Sequence, residues 1–256
     1  MRLYPASVDR ANAELADWNR VICATTHEKL TEPKGPEIPA NKPEVLTAMY
    51  AGIDKEEAAN GKDSLLYSTS ISQRHTAVAS EVLDHVLAGH ETAGIALTYL
   101  SWHVSQSAEL QEKLRKELLT LDPPLRINQE ATTRPGLPDA KALDNLPILH
   151  AVIMETLRLH APIPGPQPRE TPYPSCQIHG YKIPGGVRVA ALAHTLHNDE
   201  RVFPQPHVWD YTRWLQQENK EQLKEMNRYF WAFGSGGRMC IGSNFAMNGE
   251  QASIGH

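Results

Sequence analysis

The stretch from about Ser70 to Gln106 most constrains the fold, because apolar residues recur along it at helical spacing. At 1.5 Å per residue, a helix of this length extends roughly 50 Å, which is enough to cross a whole domain. We therefore predict a fold built around one long helix. Its apolar positions are Val78, Val82, Leu83, Val86, Leu87, Ile95, Leu97, Leu100 and Trp102.

Three other segments have the apolar periodicity of helices. Residues 107–121 place leucines on one face and charges on the other, whereas residues 145–160 are almost continuously apolar and are predicted to be buried on several sides. The third segment is residues 10–30, with Leu15, Trp18, Val21 and Ile22 at helical spacing.

The chain changes character after the apolar segment. Residues 161–174 are predicted as an extended proline-rich connector, and residues 203–215 as an irregular, aromatic-rich segment. Between them, residues 176–192 alternate around Pro184-Gly185-Gly186, which predicts a β-hairpin. Because strands and helices do not alternate regularly, a doubly wound dinucleotide-binding fold is disfavoured. The predicted class is mainly α with a small β element.

Composition excludes several functions. A net charge of −5 and the lack of a dense Lys/Arg cluster argue against nucleic acid or an anionic membrane surface as a partner. No run of about 18 apolar residues occurs, so the chain is predicted to have no transmembrane helix of its own. Three scattered cysteines are not a disulfide framework, and they favour a reducing compartment. They are Cys23, Cys176 and Cys240.

Residues 233–242, FGSGGRMCIG, form a glycine-rich segment that we call the Cys loop. It lacks the lysine of a phosphate-binding loop and the serine spacing of a hydrolase elbow. A lone cysteine is more often inert than a ligand. Here, however, a helix is predicted to start just beyond Cys240, and a helix start favours a thiolate. The glycines would admit a flat, bulky group, and Arg238 would supply a cation for its acidic substituents.

Glu155 and Arg158 are three residues apart, so they share a helix face and can pair. The sequences at 112–115 and 225–228 have the same spacing but lie in charged, surface-like stretches. An ion pair in the apolar 145–160 segment must instead be fully satisfied. Arg213 is a plausible third member of this cluster, whose predicted role is architectural rather than catalytic.

The sequence AGHETAG at residues 88–94 lies within the long predicted helix. It is not the zinc-binding helix motif, because Gly94 stands where the second histidine would be. Gly89 would let a ligand approach the helix backbone, and it precedes an acid and an alcohol that look buried. Glu91 and Thr92 are therefore candidates for proton relay.

These motifs together resemble the cytochrome P450 haem-thiolate family. The Cys loop fits the family pattern F-x-x-G-x-R-x-C-x-G at Phe233, Gly236, Arg238, Cys240 and Gly242. AGHET resembles the motif of the family's long helix above the haem, and ETLR resembles its E-x-x-R helix. The segment with Arg213 resembles the one that supplies the third partner. The implied fold is the C-terminal portion of the cytochrome P450 fold, most like fungal members.

The resemblance implies a role for each matching residue. Cys240 would be the axial thiolate ligand of iron in haem b (iron protoporphyrin IX). Arg238 and Arg169 would pair with haem propionates, and Phe233 would limit the exposure of the thiolate to water. Gly242 completes the cofactor-binding loop. On the oxygen side, the residues implied are Ala88, Gly89, Glu91 and Thr92.

The implied reaction inserts one oxygen atom of O2 into a small hydrophobic organic substrate, with electrons from an NADPH-dependent cytochrome reductase. One alternative is a non-catalytic fragment that is haem-free or binds haem weakly. Another is a family member that catalyses rearrangement, although Glu91 and Thr92 count against it because isomerisation needs no proton relay to oxygen.

The resemblance covers only about the second half of the family's domain, so a truncated chain is expected. Gly249 is predicted to end the helix after the Cys loop. Without the family's membrane anchor, the chain is expected in the cytoplasm, whereas full-length relatives are usually in the endoplasmic reticulum membrane. The predicted segments of this partial domain are 1–69 before the long helix, 70–106 as the long helix, 107–175 as the E-x-x-R region and connector, and 176–256 as the hairpin, irregular segment and Cys loop.

Overall fold

A computed structural model describes residues 5–31, 43–122, 139–215 and 219–254 of the chain. Two compact units are present, Met1–His90 and Glu91–His256. The described helices and strands are α1 (Ala6–Thr31), α2 (Glu44–Asn60), α3 (Arg74–Ser105), α4 (Ala108–Leu118), α5 (Ala140–Asp144), α6 (Pro147–Leu159), β1 (Pro166–Glu170), β2 (Ser175–Ile178), β3 (Tyr181–Pro184), β4 (Arg188–Leu192), α7 (Ala193–His197), α8 (Lys220–Tyr229) and α9 (Ser243–Ile254).

The long helix is confirmed as α3, which begins four residues later than predicted and contains the boundary between the two units. A π-helical turn, Tyr67–Ile71, precedes it. The helices predicted for 107–121 and 145–160 are confirmed as α4 and α6. None of the described helices is both long and apolar enough to cross a membrane.

The first unit is held together by an apolar cluster from α1, α2 and the first part of α3. The side-chain amide of Asn19 adds a buried hydrogen bond, from Nδ2 to the carbonyl oxygen of Ala79 at 2.6 Å. The buried apolar members are Cys23, Leu46, Tyr50, Val78 and Ala79.

The helix predicted for residues 10–30 is present as α1, but its apolar stripe does not face this cluster. Trp18 is 61% exposed, and the other stripe residues are exposed as well. The buried residues of α1 are instead Asn19 and Cys23. Periodicity missed this face because a polar residue can be buried once its hydrogen bonds are satisfied, as they are here by Ala79.

The core of the second unit surrounds α6, in which every residue from Ala151 to Arg158 is buried. The start of α6 has Pro147 in its first turn but no side-chain cap of its own. The amides of Ile148 and Leu149 donate instead to the two carboxylate oxygens of Glu117 on α4, both at 2.8 Å. This carboxylate satisfies donors that a helix start leaves unpaired and complements its positive end.

Two small antiparallel sheets follow α6. β1 pairs with β4, so that Pro166 lies opposite Leu192 and Glu170 opposite Arg188. The proline-rich connector predicted for 161–174 therefore contributes a strand. Pro166 and Pro168 are two residues apart, so their missing amides lie on one side of β1, which an edge strand tolerates.

The predicted β-hairpin is present with its turn in a different place. β2 pairs with β3, and Ile178 lies opposite Tyr181. The turn is therefore at His179 and Gly180, both of which have positive φ, at 49° and 85°. The Pro184-Gly185-Gly186 segment instead connects β3 to β4, which belong to separate sheets.

The prediction that Gly249 ends the helix after the Cys loop was wrong, because α9 continues through Gly249 to Ile254. A glycine inside a helix costs about 1 kcal/mol relative to alanine, which destabilises a helix without terminating it. Met247 packs against both apolar clusters around α6, so tertiary contacts offset that cost.

Candidate functional site

Glu155, Arg158 and Arg213 form a buried cluster that we call the ion-pair frame. Arg158 donates twice to Glu155, from Nε to Oε2 at 2.9 Å and from Nη2 to Oε1 at 2.8 Å. Arg213, on the 3₁₀ turn Tyr211–Leu215, donates from Nε to Glu155 Oε1 at 3.0 Å. The side chains of Glu155 and Arg158 are 0% exposed. The structure thus brings the three predicted partners together.

The buried carboxylate of Glu155 has further partners. The indole Nε1 of Trp214 donates to its Oε2 at 2.9 Å, and the backbone amide of Asp210 donates to its Oε1 at 3.0 Å. With the guanidinium donors, each oxygen accepts at least two hydrogen bonds. A buried charge is tolerated when it is paired and hydrogen-bonded in this way.

The two guanidinium groups of the frame also donate to main-chain carbonyl oxygens. The Arg158 contact ties α6 to α7, and the Arg213 contacts lie within the aromatic-rich segment, residues 203–215. The acceptors are His197 at 2.9 Å from Arg158 Nη1, Pro204 at 3.1 Å from Arg213 Nη1 and Val208 at 3.2 Å from Arg213 Nη2.

The other two pairs with the same spacing lie at the surface. Glu112 and Arg115 are 3.9 Å apart with exposed side chains, and Glu225 and Arg228 pair at 2.8 Å with the arginine 70% exposed. Solvent-exposed pairs contribute little to stability. Burial therefore distinguishes the ion-pair frame from the two surface pairs with the same spacing, as its apolar context predicted.

The Cys loop is shaped by hydrogen bonds between its own main-chain groups. The amide of Cys240 donates to the carbonyl oxygen of Phe233 at 2.8 Å, and the amide of Met239 donates to that of Gly236 at 3.0 Å. Gly234 and Gly236 have φ of 71° and 70°. Because side chains with a Cβ rarely adopt this left-handed conformation, glycine suits both positions.

Strand β1 lies against the Cys loop. Arg169 Nη2 donates to the carbonyl oxygen of Ser235 at 3.3 Å. A Cβ added to Gly234 would lie 2.7 Å from Gln167 Oε1, so the side chain of Gln167 approaches the loop backbone closely. The sequence-predicted residue Arg169 is therefore beside the loop that carries Arg238 and Cys240.

Cys240 is exposed, and so are the apolar side chains that flank it. Met239 is 54% exposed, Ile241 88% and Phe245 83%. Arg238 is exposed too, and it forms no ion pair with any residue that the structure describes. The loop thus presents a thiol, apolar groups and a cation to its surroundings.

Phe233 is the residue predicted to limit the exposure of the thiolate to water, and that role stays a prediction. Its ring is half-buried and packs against the apolar cluster around α6, because that cluster offers the ring more apolar contact than the exposed loop does. Its carbonyl oxygen, by contrast, holds the amide of Cys240. Gly242, on the other side of the cysteine, would place a Cβ 3.9 Å from Cys240 Sγ, an ordinary contact.

The sequence-predicted residues of α3 lie in a continuous helix. Ala88, Gly89 and Glu91 are exposed, and Thr92 is half-buried. The expectation that the acid is buried was therefore wrong for Glu91. A Cβ at Gly89 would meet no atom within 4 Å.

His197 is a buried residue of this region that the sequence did not reveal. It is 0% exposed, its Nδ1 donates to the carbonyl oxygen of Arg158 at 2.7 Å, and its Nε2 accepts from the amide of Trp231 at 2.8 Å. The pKa of His197 is lowered to about 4, chiefly because burial disfavours the charged imidazolium, and the nearby charge of Arg158 acts in the same direction. The sequence around it, LHND at residues 196–199, has no periodicity or motif that would have identified it.

A second histidine contact joins α3 to the end of α6. His103 Nε2 and His160 Nε2 are 2.9 Å apart, and the rings stack on Trp209 and Tyr99 at centroid distances of 4.5 and 3.9 Å. Burial, together with the neighbouring His160, lowers the pKa of His103 to about 4. One ring must donate and the other accept, so this contact needs at least one neutral imidazole.

A mostly helical unit with a buried ion-pair frame and an exposed cysteine in a glycine-rich loop matches the class that the motifs indicated. Residues 42–254 match the family model for Cytochrome P450. The chain therefore belongs to the cytochrome P450 family.

The chain is similar to several fungal members of this family. Cytochrome P450 monooxygenase aflV of Aspergillus parasiticus is 36% identical over 61% of this chain and 28% of the relative. Cytochrome P450 monooxygenase BOT1 of Botryotinia fuckeliana is 34% identical over 67% of this chain and 31% of the relative. The chain thus spans about 30% of the length of these relatives.

A solved structure shows the same fold. Retinoic acid bound cyanobacterial CYP120A1 aligns with a TM-score of 0.65 and 24% sequence identity, over 96% of this chain and 48% of that protein. This likeness confirms the predicted fold class, a mainly helical portion of the cytochrome P450 fold.

Proposed function

We propose that this chain supplies the haem-thiolate part of a monooxygenase site, with Cys240 as the axial ligand of haem b. The exposed Cys240 thiol, held in the Cys loop by the Phe233 carbonyl oxygen, carries this proposal. The family implies a haem cofactor, and every fixed position of its loop pattern is present.

The residues around Cys240 fit such a group chemically. A thiolate is an established haem ligand. The apolar side chains of Ile241 and Phe245 are more than 80% exposed, and covering them with a macrocycle would remove apolar surface from water. Arg238 would meet an acidic substituent with a cation, and Arg169 is positioned beside the same loop.

When bound, a thiolate-ligated haem supplies O–O bond cleavage and thereby the insertion of one oxygen atom into an organic substrate. In this proposal Thr92 and Glu91 on α3 hold and move protons during turnover. Ala88 and Gly89, in the preceding turn, are proposed to leave room on the oxygen side. An NADPH-dependent cytochrome reductase is the proposed electron donor, and the proposed substrate is small, organic and hydrophobic.

Haem binding by the chain can be tested spectroscopically. The chain is expressed with haem supplied, reduced and exposed to carbon monoxide, and its Soret band is recorded. We expect the red-shifted band of a thiolate-ligated haem. Cys240→Ala should abolish that band, whereas Cys176→Ala, which removes a half-buried cysteine of β2, should retain it.

Each other outcome contradicts part of the proposal. A chain that takes up no haem would support the alternative of a haem-free fragment. A red-shifted band that survives Cys240→Ala would show that another residue ligates the iron. A thiolate band without oxygenation of any organic substrate in the presence of reductase would leave the haem site intact and refute the monooxygenase activity.

A further inference from the structure

His197 makes a buried, hydrogen-bonded link between the ion-pair frame and the segment entering the Cys loop. Arg158 and His197 hold each other reciprocally: the guanidinium donates to the His197 carbonyl oxygen at 2.9 Å, and His197 Nδ1 donates to the Arg158 carbonyl oxygen at 2.7 Å. From the opposite side of the ring, Nε2 accepts the amide of Trp231 at 2.8 Å. Trp231 lies two residues before the Cys loop begins.

Trp231 is in turn connected to Cys240 through main-chain hydrogen bonds. The carbonyl oxygen of Trp231 accepts from the amide of Gly234 at 3.0 Å, which closes a turn around Phe233. The carbonyl oxygen of Phe233 accepts from the amide of Cys240 at 2.8 Å. A shift of the Trp231 amide would therefore move the turn that presents the acceptor for the Cys240 amide.

We propose that His197 is a positioning residue that fixes the Cys loop relative to the ion-pair frame, through the acceptor that its Nε2 offers to the Trp231 amide. The positioning of the loop by His197 depends only on these protein contacts. The consequence for iron ligation, that His197 keeps Cys240 where it can act as the thiolate ligand, rests on the proposed haem binding.

Both ring nitrogens of His197 are engaged, which fixes its tautomer. Nδ1 must carry the proton to donate to the Arg158 carbonyl oxygen, and Nε2 must be unprotonated to accept from Trp231. The ring is also confined by stacking against Phe230, with a centroid distance of 5.5 Å. Because the imidazole is confined in this way, it can hold Trp231 at a fixed distance from Arg158 on α6.

The other contacts of the Cys loop with β1 are less confined than this link. The hydrogen bond from Arg169 to Ser235 is 3.3 Å long and exposed. Gln167 approaches Gly234 with the flexible end of a half-buried side chain. The buried His197 contact is therefore the one best able to hold the loop in a single position.

Two substitutions distinguish the hydrogen bond made by His197 Nδ1 from the one made by its Nε2. The amide of glutamine extends as far as Nε2, so His197→Gln can offer an oxygen to Trp231. The amide of asparagine extends only as far as Nδ1, so His197→Asn can donate to Arg158 but cannot reach Trp231. The main-chain contact from Arg158 to residue 197 is available to both variants. His194→Asn, at an exposed histidine on the same short helix, is the matched control.

The first measurement needs no haem. Amide hydrogen exchange is followed by mass spectrometry in peptides covering residues 230–234 and 240. We expect His197→Asn to speed exchange roughly tenfold there, as the loss of one buried hydrogen bond implies, while His197→Gln and His194→Asn stay near the parent chain. Equal exchange in the Asn and Gln variants, or faster exchange spread evenly over residues 91–256, would overturn the positioning role.

The second measurement is the Soret band of the reduced, carbon monoxide-treated chain loaded with haem. We expect His197→Asn to retain haem but lose most of the red-shifted thiolate band, and His197→Gln to restore it. If the parent chain shows the band and His197→Asn keeps it fully, the consequence for ligation is wrong. If the parent chain takes up no haem, the proposed function fails, and the exchange measurement still decides the positioning role.

Discussion

The ion-pair frame and the Cys loop belong to one unit of the molecule and differ in almost every physical respect. Glu155 and Arg158 are fully buried, and their charges are paired with each other and with main-chain groups. Cys240 and Arg238 are exposed, and the loop keeps its shape through main-chain hydrogen bonds and left-handed glycines. The difference indicates that the frame supplies stability, whereas the chemistry proposed for this chain lies in the loop, so that substitutions in the two regions should have separable effects.

The largest effect is expected from Glu155→Ala. This change leaves Arg158 and Arg213 buried without their carboxylate, and breaking a buried ion pair in this way costs about 3–5 kcal/mol. The free energy of unfolding should fall by that amount in urea titrations followed by circular dichroism. Glu112→Ala, which removes a surface pair with the same sequence spacing, should change it by less than the experimental error. Equal losses in the two variants would refute the architectural role of the frame.

The next largest effect is a pH dependence of the free energy of unfolding, which comes from the buried His197 beside the ion-pair frame. The pKa of His197 is lowered from 6.5 to about 4, chiefly by burial; the hydrogen bond to the Arg158 carbonyl oxygen opposes this shift, and the charges of Arg158 and His194 add to it. Between pH 6.5 and 4 the unfolded chain therefore binds a proton at His197 that the folded chain does not. The contribution of His197 to the free energy of unfolding is fully present above pH 6.5. It is lost as the pH falls toward 4, and the total loss for this group is about 3 kcal/mol.

The check compares the free energy of unfolding at pH 7 and pH 5. His197→Gln should flatten the dependence in part, because His103 also has its pKa lowered to about 4 and contributes with the same sign. His194→Gln, which removes only the smallest cause of the lowered pKa of His197, should change the dependence far less than His197→Gln does. A dependence that stays the same in His197→Gln would show that folding does not lower the pKa of His197.

The smallest effect is expected in the loop. Gly234→Ala forces an alanine to adopt a φ of 71°, which costs roughly 1–2 kcal/mol. Gly237→Ala, at a neighbouring glycine with no atom within 4 Å of an added Cβ and no positive φ, should cost almost nothing. Adding Gln167→Ala to Gly234→Ala separates the two causes. If the stability returns, the close contact with Gln167 was responsible; if it does not, the backbone conformation was.

The parts of the fold that could be predicted are those in which one physical effect dominates. The apolar run around Glu155 and Arg158 had to be buried, so an ion pair within it had to be satisfied, and both features are present. The Cys loop was recognisable because its residue types follow the pattern of the family, and two of its glycines have positive φ. These signals are local in the sequence.

The predictions failed where tertiary contacts overrode a local preference. In α1, Asn19 is buried in place of Trp18 because Ala79, distant in sequence, accepts its hydrogen bond. The helix continued past Gly249 because Met247 gains core contacts. His197 gave no signal, since its two partners lie 39 and 34 residues away and only the fold brings them to one ring.

The Glu117 carboxylate at the start of α6 has a consequence for how small this unit could be made. α6 carries the ion-pair frame but has no cap of its own, and two of its first amides depend on a side chain 31 and 32 residues upstream. An excised peptide that began at residue 139 would contain the frame and the Cys loop but would lack that carboxylate. A piece meant to fold around the cysteine should therefore include α4, whose start is capped by the Ser107 hydroxyl.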